Sequence, residues 1–222
     1  MMGKDNLVVV TSRIRLARNI ENMSFVPNSD VKKCLNLIGK VNECVGMLGR
    51  FKVYQMNSLS DQDSAVMFGK HLISKELLKN KTSGAVLVNE DETISIMVNE
   101  EDHIRAQCIL KGLNLEKAYS LINEIDDEID SKLKIAYGKN FGYLTSSLKD
   151  AGSGMKISLL VHLPAITYSG MLERVFKEVM ADGFSVTGYY GSGMEVGSSL
   201  GAFYKISTEN SFEEDEESQL HK

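Results

Sequence analysis

Two runs of alternating apolar residues enclose a charged segment near the middle of the chain, and this pattern constrains the fold most strongly. The first run ends at Val98, and the second begins at Ile104. A period of two predicts half-buried strands joined by a turn. The turn, residues 99–105, holds three acids, a histidine and an arginine. Because crowded like charges repel one another, such a turn is suited to holding a metal ion or a cationic substrate. The simpler alternative is an acidic turn that faces solvent.

A pair of arginines lies two positions apart in a second strand-like run near the start of the chain. Residues 7–19 are rich in β-branched and apolar side chains, and Arg13 and Arg15 interrupt them. On a strand, both arginines point to one face while Ile14 and Leu16 point to the other. Adjacent guanidinium groups suit a phosphate chain, which each can grip with two hydrogen bonds. The alternative is an exposed strand that carries salt bridges.

The remaining periodic segments predict an α+β fold. Strands are expected at 51–56, 85–88, 93–98, 103–110, 157–162, 184–190 and 202–206, and helices at 31–48, 60–73, 113–136 and 164–183. Successive strands without long crossovers favour an antiparallel sheet, with helices on one side. We expect one domain over residues 1–208, followed by an acidic, disordered tail at 209–222.

Composition excludes several classes of protein. The net charge is −5, which gives no support for nucleic acid or an anionic membrane as a partner. Cys34, Cys44 and Cys108 are odd in number and widely spaced, which argues against a disulfide framework or a zinc site and favours a reducing cytoplasm. No segment has the length and apolarity of a membrane span.

Two glycine-rich segments and one histidine are less specific. Gly152 and Gly154 precede Lys156, where the backbone amides could bind an anion or form an ordinary turn. Residues 191–199 predict a mobile loop. His71 lies among apolar residues, where a core or capping role is the simpler expectation.

Several ordered motifs together resemble the ATP:guanido phosphotransferase family. They are residues 11–19, 70–74, 99–105, 142–146 with 152–154, and 161–165. The sequences of these motifs are most similar to those of the bacterial protein-arginine kinases. The resemblance implies an antiparallel sheet flanked by helices. It also implies transfer of the γ-phosphoryl group of ATP to a guanidinium nitrogen, with Mg²⁺ carried mainly by the ATP phosphates and an arginine-bearing protein as the substrate.

The resemblance also assigns roles by position. Glu101 would hold the substrate guanidinium, and Glu100 and Arg105 would complete the catalytic set. The expected nucleotide-binding positions are Thr11, Ser12, Arg13, Ile14, Arg15, His71, Arg105, Lys156, Ile157, Ser158, Leu159, Leu160, Thr187, Gly188, Tyr189, Tyr190, Gly191 and Ser192. No site that binds a metal through protein ligands alone is expected.

The chain departs from the family pattern at four positions. Lys156 and Thr187 each stand where the family has arginine, Ser147 stands in place of a reactive cysteine, and Ser192 stands in place of an acid. A further helical domain of the bacterial kinases is also expected to be absent. The alternative to an active kinase is therefore an impaired relative that binds nucleotide or a partner, such as a full-length kinase or a stress regulator. A kinase for small guanidines ranks below both.

Overall fold

The alternating segments form a single large antiparallel sheet. A computed structural model describes residues 8–189, 199–209 and 215–221. Its eight main strands run in the order β2-β3-β4-β5-β1-β8-β10-β9, and every pair is antiparallel. The strands are β1 Val9–Arg18, β2 Phe51–Gln55, β3 Ala85–Asn89, β4 Ile94–Val98, β5 Ile104–Lys111, β6 Tyr137–Gly138, β7 Gly142–Tyr143, β8 Met155–His162, β9 Phe184–Gly188 and β10 Phe203–Thr208, of which β6 and β7 form a separate hairpin.

Helices with polar caps connect these strands. The α-helices are α1 Val31–Val45, α2 Asp61–Gly69, α3 Lys75–Lys79, α4 Leu115–Lys132, α5 Pro164–Tyr168, α6 Leu172–Ala181 and α7 Glu216–Leu220. Asp30 and Ser60 accept backbone N–H bonds at the starts of α1 and α2, as side-chain caps do. The single helix expected over 164–183 is interrupted at Gly170, whose φ of +71° ends α5. Among the described residues, no helix combines the length and apolarity needed to cross a membrane.

One face of the sheet carries the main hydrophobic core. Helices α1 and α4 pack against β1, β4 and β5, where Ile14 and Leu16 are fully buried. On the same face, Leu172 and Phe176 of α6 cover β8, β9 and β10. Because side chains alternate along each strand, this face takes the apolar residues of β1 and leaves its arginines on the other face.

The opposite face is apolar at one end and charged in the middle. Helices α2 and α3 cover β2, β3 and β4, with Met67, Leu77 and Met97 in contact. The expectation of helices on one side was therefore wrong, and β4 is buried along its whole length rather than half-buried. The α+β class with an antiparallel sheet is confirmed. Strands β5, β1, β8 and β10 bear the charged residues described below.

The end of the described chain differs from the disordered tail that its acidity predicts. Glu216 of α7 lies 2.7 Å from the buried Arg18 guanidinium, and Gln219 is buried and donates to Ser153. Arg18 also pairs with Asp126 at 2.7 Å. A guanidinium removed from water needs carboxylates around its donors, and α7 supplies one of them. Residues 210–214 lie outside the described part, and the domain boundary at 208 stays a prediction.

Candidate active site

Five basic side chains from four neighbouring strands lie on the face opposite the main core. We call Arg13, Arg15, Arg105, Lys156 and Lys205 the cationic surface. In the strand register, Arg15 of β1 pairs with Lys156 of β8, and the neighbouring Ala17 pairs with Arg105 of β5. Lys205 of β10 lies across from Leu160 of β8. The sheet thus brings together basic residues that lie far apart in the sequence.

Burial and the repulsion of neighbouring cations lower the basicity of four members of this surface. Burial, followed by the charges of Arg15 and Arg105, lowers the pKa of Arg13 to about 10. Burial and the charges of Arg13, Lys156 and Arg15 lower the pKa of Lys205 to about 8. The pKa values of Arg15 and Lys156 are also lowered, with burial the largest cause in both cases. Neighbouring positive charges contribute to each of these shifts after burial, and such a grouping of cations suits a polyanion.

Two residues that the sequence analysis missed hold the arginines in place. Asp150 lies 3.2 Å from Arg15 and 3.5 Å from Arg105. Gln107 accepts a short hydrogen bond from Arg13 and donates to the His71 carbonyl at 2.6 Å. Gln107 could have been found from the alternation of β5, which puts it on the same face as Arg105. Asp150 lies in a turn with no periodic signal.

The acidic turn between β4 and β5 surrounds Arg105. Arg105 lies 2.7 Å from Glu100, 3.1 Å from Glu101 and 3.1 Å from Asp102. Burial tends to lower the pKa of Arg105, but these carboxylates and Asp150 raise it overall. Arg105 is therefore the most strongly neutralised cation of the surface, and it joins the acidic turn to the other basic residues.

Glu101 differs from its two acidic neighbours in exposure. The Glu101 side chain is 42% exposed, whereas those of Glu100 and Asp102 are 0% exposed. Asp102 also accepts hydrogen bonds from Asn19 and from the Ser146 backbone, both at 2.7 Å. The two buried acids thus stabilise the turn and Arg105, and Glu101 is the acid of this turn that an incoming cation can reach.

The backbone of the turn is held by Asn99 and His103. Asn99 has a φ of +58°, and its side chain donates to the carbonyls of Cys34 and Ser83. His103 accepts from the backbone of Ile20 and lies 2.9 Å from the Ser24 carbonyl, and burial is the largest cause of its lowered pKa. His103 therefore has a structural role. A strained Asn99 backbone held by such contacts is common at functional sites.

His71 borders the cationic surface from the segment between α2 and α3. Its ring contacts the Tyr189 hydroxyl, which follows β9, and the ring centroids are 5.6 Å apart. Burial and the charges of Arg13 and Lys205 lower the pKa of His71 below its ordinary value. His71 also has a φ of +59°. A neutral ring next to the cations fits the nucleotide-binding position expected from the sequence.

The structure does not bring every expected nucleotide-binding side chain to this surface. The side chains of Ser12, Ile14, Ile157 and Leu159 point to the opposite face and do not contribute to this surface, so their place among the nucleotide-binding positions stays a prediction. Ser12, for example, is fully buried and donates to the Gly112 carbonyl. The physical reason is alternation, since consecutive residues of a strand cannot share one face. Thr11, Ser158 and Leu160 do lie on the cationic face.

The remaining expected positions lie at or beyond β9. Thr187 pairs with Lys205 across the β9–β10 ladder and lies on the cationic face, and Gly188 ends the strand. Tyr190, Gly191 and Ser192 lie outside the described residues, as does the core of the expected mobile loop. Ser147, in place of the family cysteine, lies in the loop that leads to Asp150, and its carbonyl accepts from Thr145.

Close packing of the backbone explains the glycines at positions 142 and 154. Gly142 has a φ of +65°, and a Cβ there would lie 2.8 Å from the Cα of Gly152. Gly154 has a φ of +66°, and a Cβ there would lie 2.7 Å from the Ala17 carbonyl oxygen. These close approaches of backbone to backbone need glycine whether or not an anion binds nearby.

In the described part of the chain, no group of three or more His, Cys, Asp or Glu side chains could hold a metal ion.

Comparison with known sequences identifies the family. The sequence model of the ATP:guanido phosphotransferase C-terminal catalytic domain matches residues 35–222. The chain belongs to the ATP:guanido phosphotransferase family. The resemblance to this family is thereby confirmed, and the matched residues include the acidic turn and the later motifs but begin after the arginine pair.

Curated relatives of this guanido phosphotransferase chain include bacterial protein-arginine kinases. The enzyme of Caldanaerobacter subterraneus is 39% identical over 214 residues, which cover 94% of this chain and 63% of the relative. The enzyme of Geobacillus stearothermophilus is 37% identical over 227 residues, which cover 99% of this chain and 62% of the relative. The chain thus spans somewhat more than half the length of these relatives.

Solved structures of guanido kinases share the fold. The duplicated taurocyamine kinase of Schistosoma mansoni, with bound transition-state analogue components, aligns with a TM-score of 0.86 at 20% identity. The alignment covers 99% of this chain and 32% of the taurocyamine kinase chain. A lombricine kinase aligns with a TM-score of 0.81 at 19% identity, over 97% of this chain and 63% of that one. At these identities the likeness supports the fold alone.

Proposed function

We propose that this chain transfers the γ-phosphoryl group of ATP to a guanidinium nitrogen of arginine residues in proteins. The observation that supports this most directly is the arrangement of opposite charges around Arg105. The charge of Arg105 acts on the neighbouring Arg15, and the partly exposed carboxylate of Glu101 lies 3.1 Å from Arg105. Such a site can hold an anionic donor next to a cationic acceptor, which is what this reaction needs.

The donor side would be held by the cationic surface. Arg13, Arg15 and Lys156 lie on one face and have too few counter-ions among the described residues to neutralise them fully. They fit the phosphates of ATP, and Mg²⁺ would come with those phosphates and offset their charge. Arg105 would extend this contact, in competition with the carboxylate of Asp150.

The acceptor side would be held by Glu101. Its exposed carboxylate can form a paired hydrogen bond with the arginine guanidinium of a substrate. In the reaction, a bond forms between the guanidinium nitrogen and the γ-phosphorus, and the bond from that phosphorus to the bridging oxygen of ADP breaks. The nitrogen loses a proton, and Glu101 is the carboxylate placed to accept it. Arginines in proteins are proposed as acceptors because the curated relatives are named protein-arginine kinases.

The proposed setting is the cytoplasm. All three cysteines are buried and unpaired, which fits a reducing compartment. The expected partner is an arginine-bearing protein substrate, and a full-length kinase or stress regulator remains part of the alternative in which catalysis is impaired.

The first prediction concerns Glu101. Glu101→Gln should lower the rate of phosphoarginine formation by about 10²-fold or more, because the amide can neither pair with the guanidinium charge nor accept its proton. The measurement is incubation with labelled ATP, Mg²⁺ and an unfolded protein, followed by detection of acid-labile phosphoarginine. Stability should change little, since the side chain is partly exposed.

The matched control is Glu173→Gln, on the exposed start of α6. It should leave the rate unchanged. If Glu101→Gln is as active as the unsubstituted chain, the proposed role of this carboxylate is wrong. Binding of ATP by the unsubstituted chain with no phosphoarginine would support the impaired relative instead.

A further inference from the structure

Lys205 is a basic residue of the site that the family motifs do not assign. It lies on β10, where its neighbours Tyr204 and Ile206 point into the main core. Lys205 therefore points to the cationic face, between Leu160 on β8 and Thr187 on β9. Its position continues the row of charges that begins with Arg105 and Arg15.

Lys205 has no anionic partner in the described part of the chain. No hydrogen bond or ion pair joins its ammonium group to another described residue, and the charges that act on it most strongly are those of Arg13, Lys156 and Arg15. A half-buried lysine surrounded by cations lowers the stability of the folded chain. This cost is offset when an anion binds, which suggests a ligand with several negative charges.

Thr187 occupies the position across the ladder from Lys205. Directly opposed side chains on antiparallel strands have Cβ atoms about 4.5–5.5 Å apart. A long basic side chain on β10 can therefore reach the space that a basic side chain at position 187 would fill. Thr187 is the position at which the sequence resemblance expected an arginine, and the positive charge missing from β9 is present on the adjacent strand.

We propose that Lys205 binds the phosphates of the nucleotide and supplies the charge that Thr187 lacks. In this proposal, the positive charge is carried by β10 instead of by the directly opposed position on β9, so the phosphate site keeps its charge although position 187 is threonine. Lys205 would contact the substrate phosphates directly. The inference rests on the proposed function for the identity of the nucleotide, but it concerns binding and can be tested without turnover.

The test compares nucleotides that differ in charge. Lys205→Gln should weaken ATP binding about tenfold or more in calorimetry, because a charge-assisted contact to phosphate is lost. Binding of AMP should change less than threefold or so, since fewer phosphate charges are involved. The control is Lys177→Gln on the exposed surface of α6, which removes the same charge away from the site and should leave both affinities unchanged.

Relocating the charge gives the decisive measurement. The double variant Thr187→Arg with Lys205→Gln returns a cation to the same part of the surface from β9, and it should recover ATP affinity to within about threefold of the unsubstituted chain. Lys205→Arg should also retain ATP binding. Thermal unfolding without ligand checks folding, and Lys205→Gln should melt at the same or a higher temperature because it relieves repulsion.

Several outcomes would overturn the inference. These are unchanged ATP affinity in Lys205→Gln, equal weakening of ATP and AMP, no recovery in the double variant, or no nucleotide binding by the unsubstituted chain. A failure of this inference can be distinguished from a failure of the proposed function. Phosphoarginine formed with an unchanged KM for ATP in Lys205→Gln would contradict the inference alone, whereas Lys205-dependent ATP binding without phosphoarginine would contradict the proposed function alone.

Discussion

The residues of the site are arranged by charge and exposure. Arg13, Arg15, Lys156 and Lys205 repel one another, and each has a lowered pKa. Glu101 is partly exposed, while the acids on either side of it are buried against Arg105. Repulsion of this kind destabilises the unliganded chain, and an anionic ligand relieves it. The same residues therefore lower stability and favour binding, which is a common compromise at functional sites.

The pH dependence of ATP binding should reveal Lys205. Its pKa of about 8 means that the unliganded site loses a positive charge as the pH rises above this value, so ATP affinity should fall from about pH 8 to about pH 9.5. In Lys205→Gln this decline should be clearly smaller. Calorimetry over this range in both proteins checks the prediction, and parallel pH profiles would contradict it.

Other titratable groups around Lys205 are the same in both proteins. Arg13 has a pKa of about 10, and the pKa values of Arg15 and His71 are lowered, with burial the largest cause in both cases. The charge of Lys156 also acts on Lys205, and Lys156 is unchanged in the comparison of the two proteins. In the unliganded chain, the free energy of unfolding should rise from about pH 8 to about pH 10.5. Over this range Lys205 has lost its proton in the folded chain but still holds it in the unfolded chain.

Strands and loops each serve the core and the site at once. Strand β1 gives Ile14 and Leu16 to the core and Arg13 and Arg15 to the cationic surface. The loop between Gly142 and Gly154 packs backbone on backbone and carries Asp150 to the arginines. The geometry of this loop, rather than an anion contact, explains its glycines.

A substitution at Gly142 should destabilise this loop. Gly142→Ala should lower the free energy of unfolding by about 2 kcal/mol or more, because φ is positive and the new Cβ would overlap Gly152. Denaturant unfolding gives the value. Gly39→Ala, in α1, has open space and no positive φ, and it should be neutral or stabilising by up to about 1 kcal/mol. Equal effects in the two variants would contradict this explanation.

At the scale of the whole molecule, the order of the strands divides the second face into an apolar part and a charged part. Helices α2 and α3 cover β2 to β4, and the cationic surface begins at β5. The end of the described chain returns to the central strand β1, where α7 brings Glu216 to Arg18 at the end of that strand. Arg18 also lies 3.5 Å from the centre of the Tyr143 ring.

Loss of the α7 contact should weaken the whole fold. Glu216→Gln should lower the free energy of unfolding by about 1–3 kcal/mol, because the buried Arg18 would keep Asp126 as its one charged partner among the described residues. Thermal or denaturant unfolding is the measurement. Glu217→Gln, on the exposed side of the same helix, should have an effect below about 0.5 kcal/mol. If both variants behave alike, α7 does not stabilise the sheet through Arg18.

The sequence by itself determined the eight strands of the large sheet to within a few residues, the two faces of β1 and the position of the acidic turn. Alternation is a local property of extended backbone, so Arg13 and Arg15 on one face and the charged turn before Ile104 could be predicted without any partner strand. The tertiary structure decided which strands are neighbours. Contacts such as that of Ser12 with Gly112 join residues 100 positions apart. Long-range pairing alone puts Arg105 and Lys205 beside β1 and β8, and it also brings in Asp150 and α7, because no local period encodes which strands will meet.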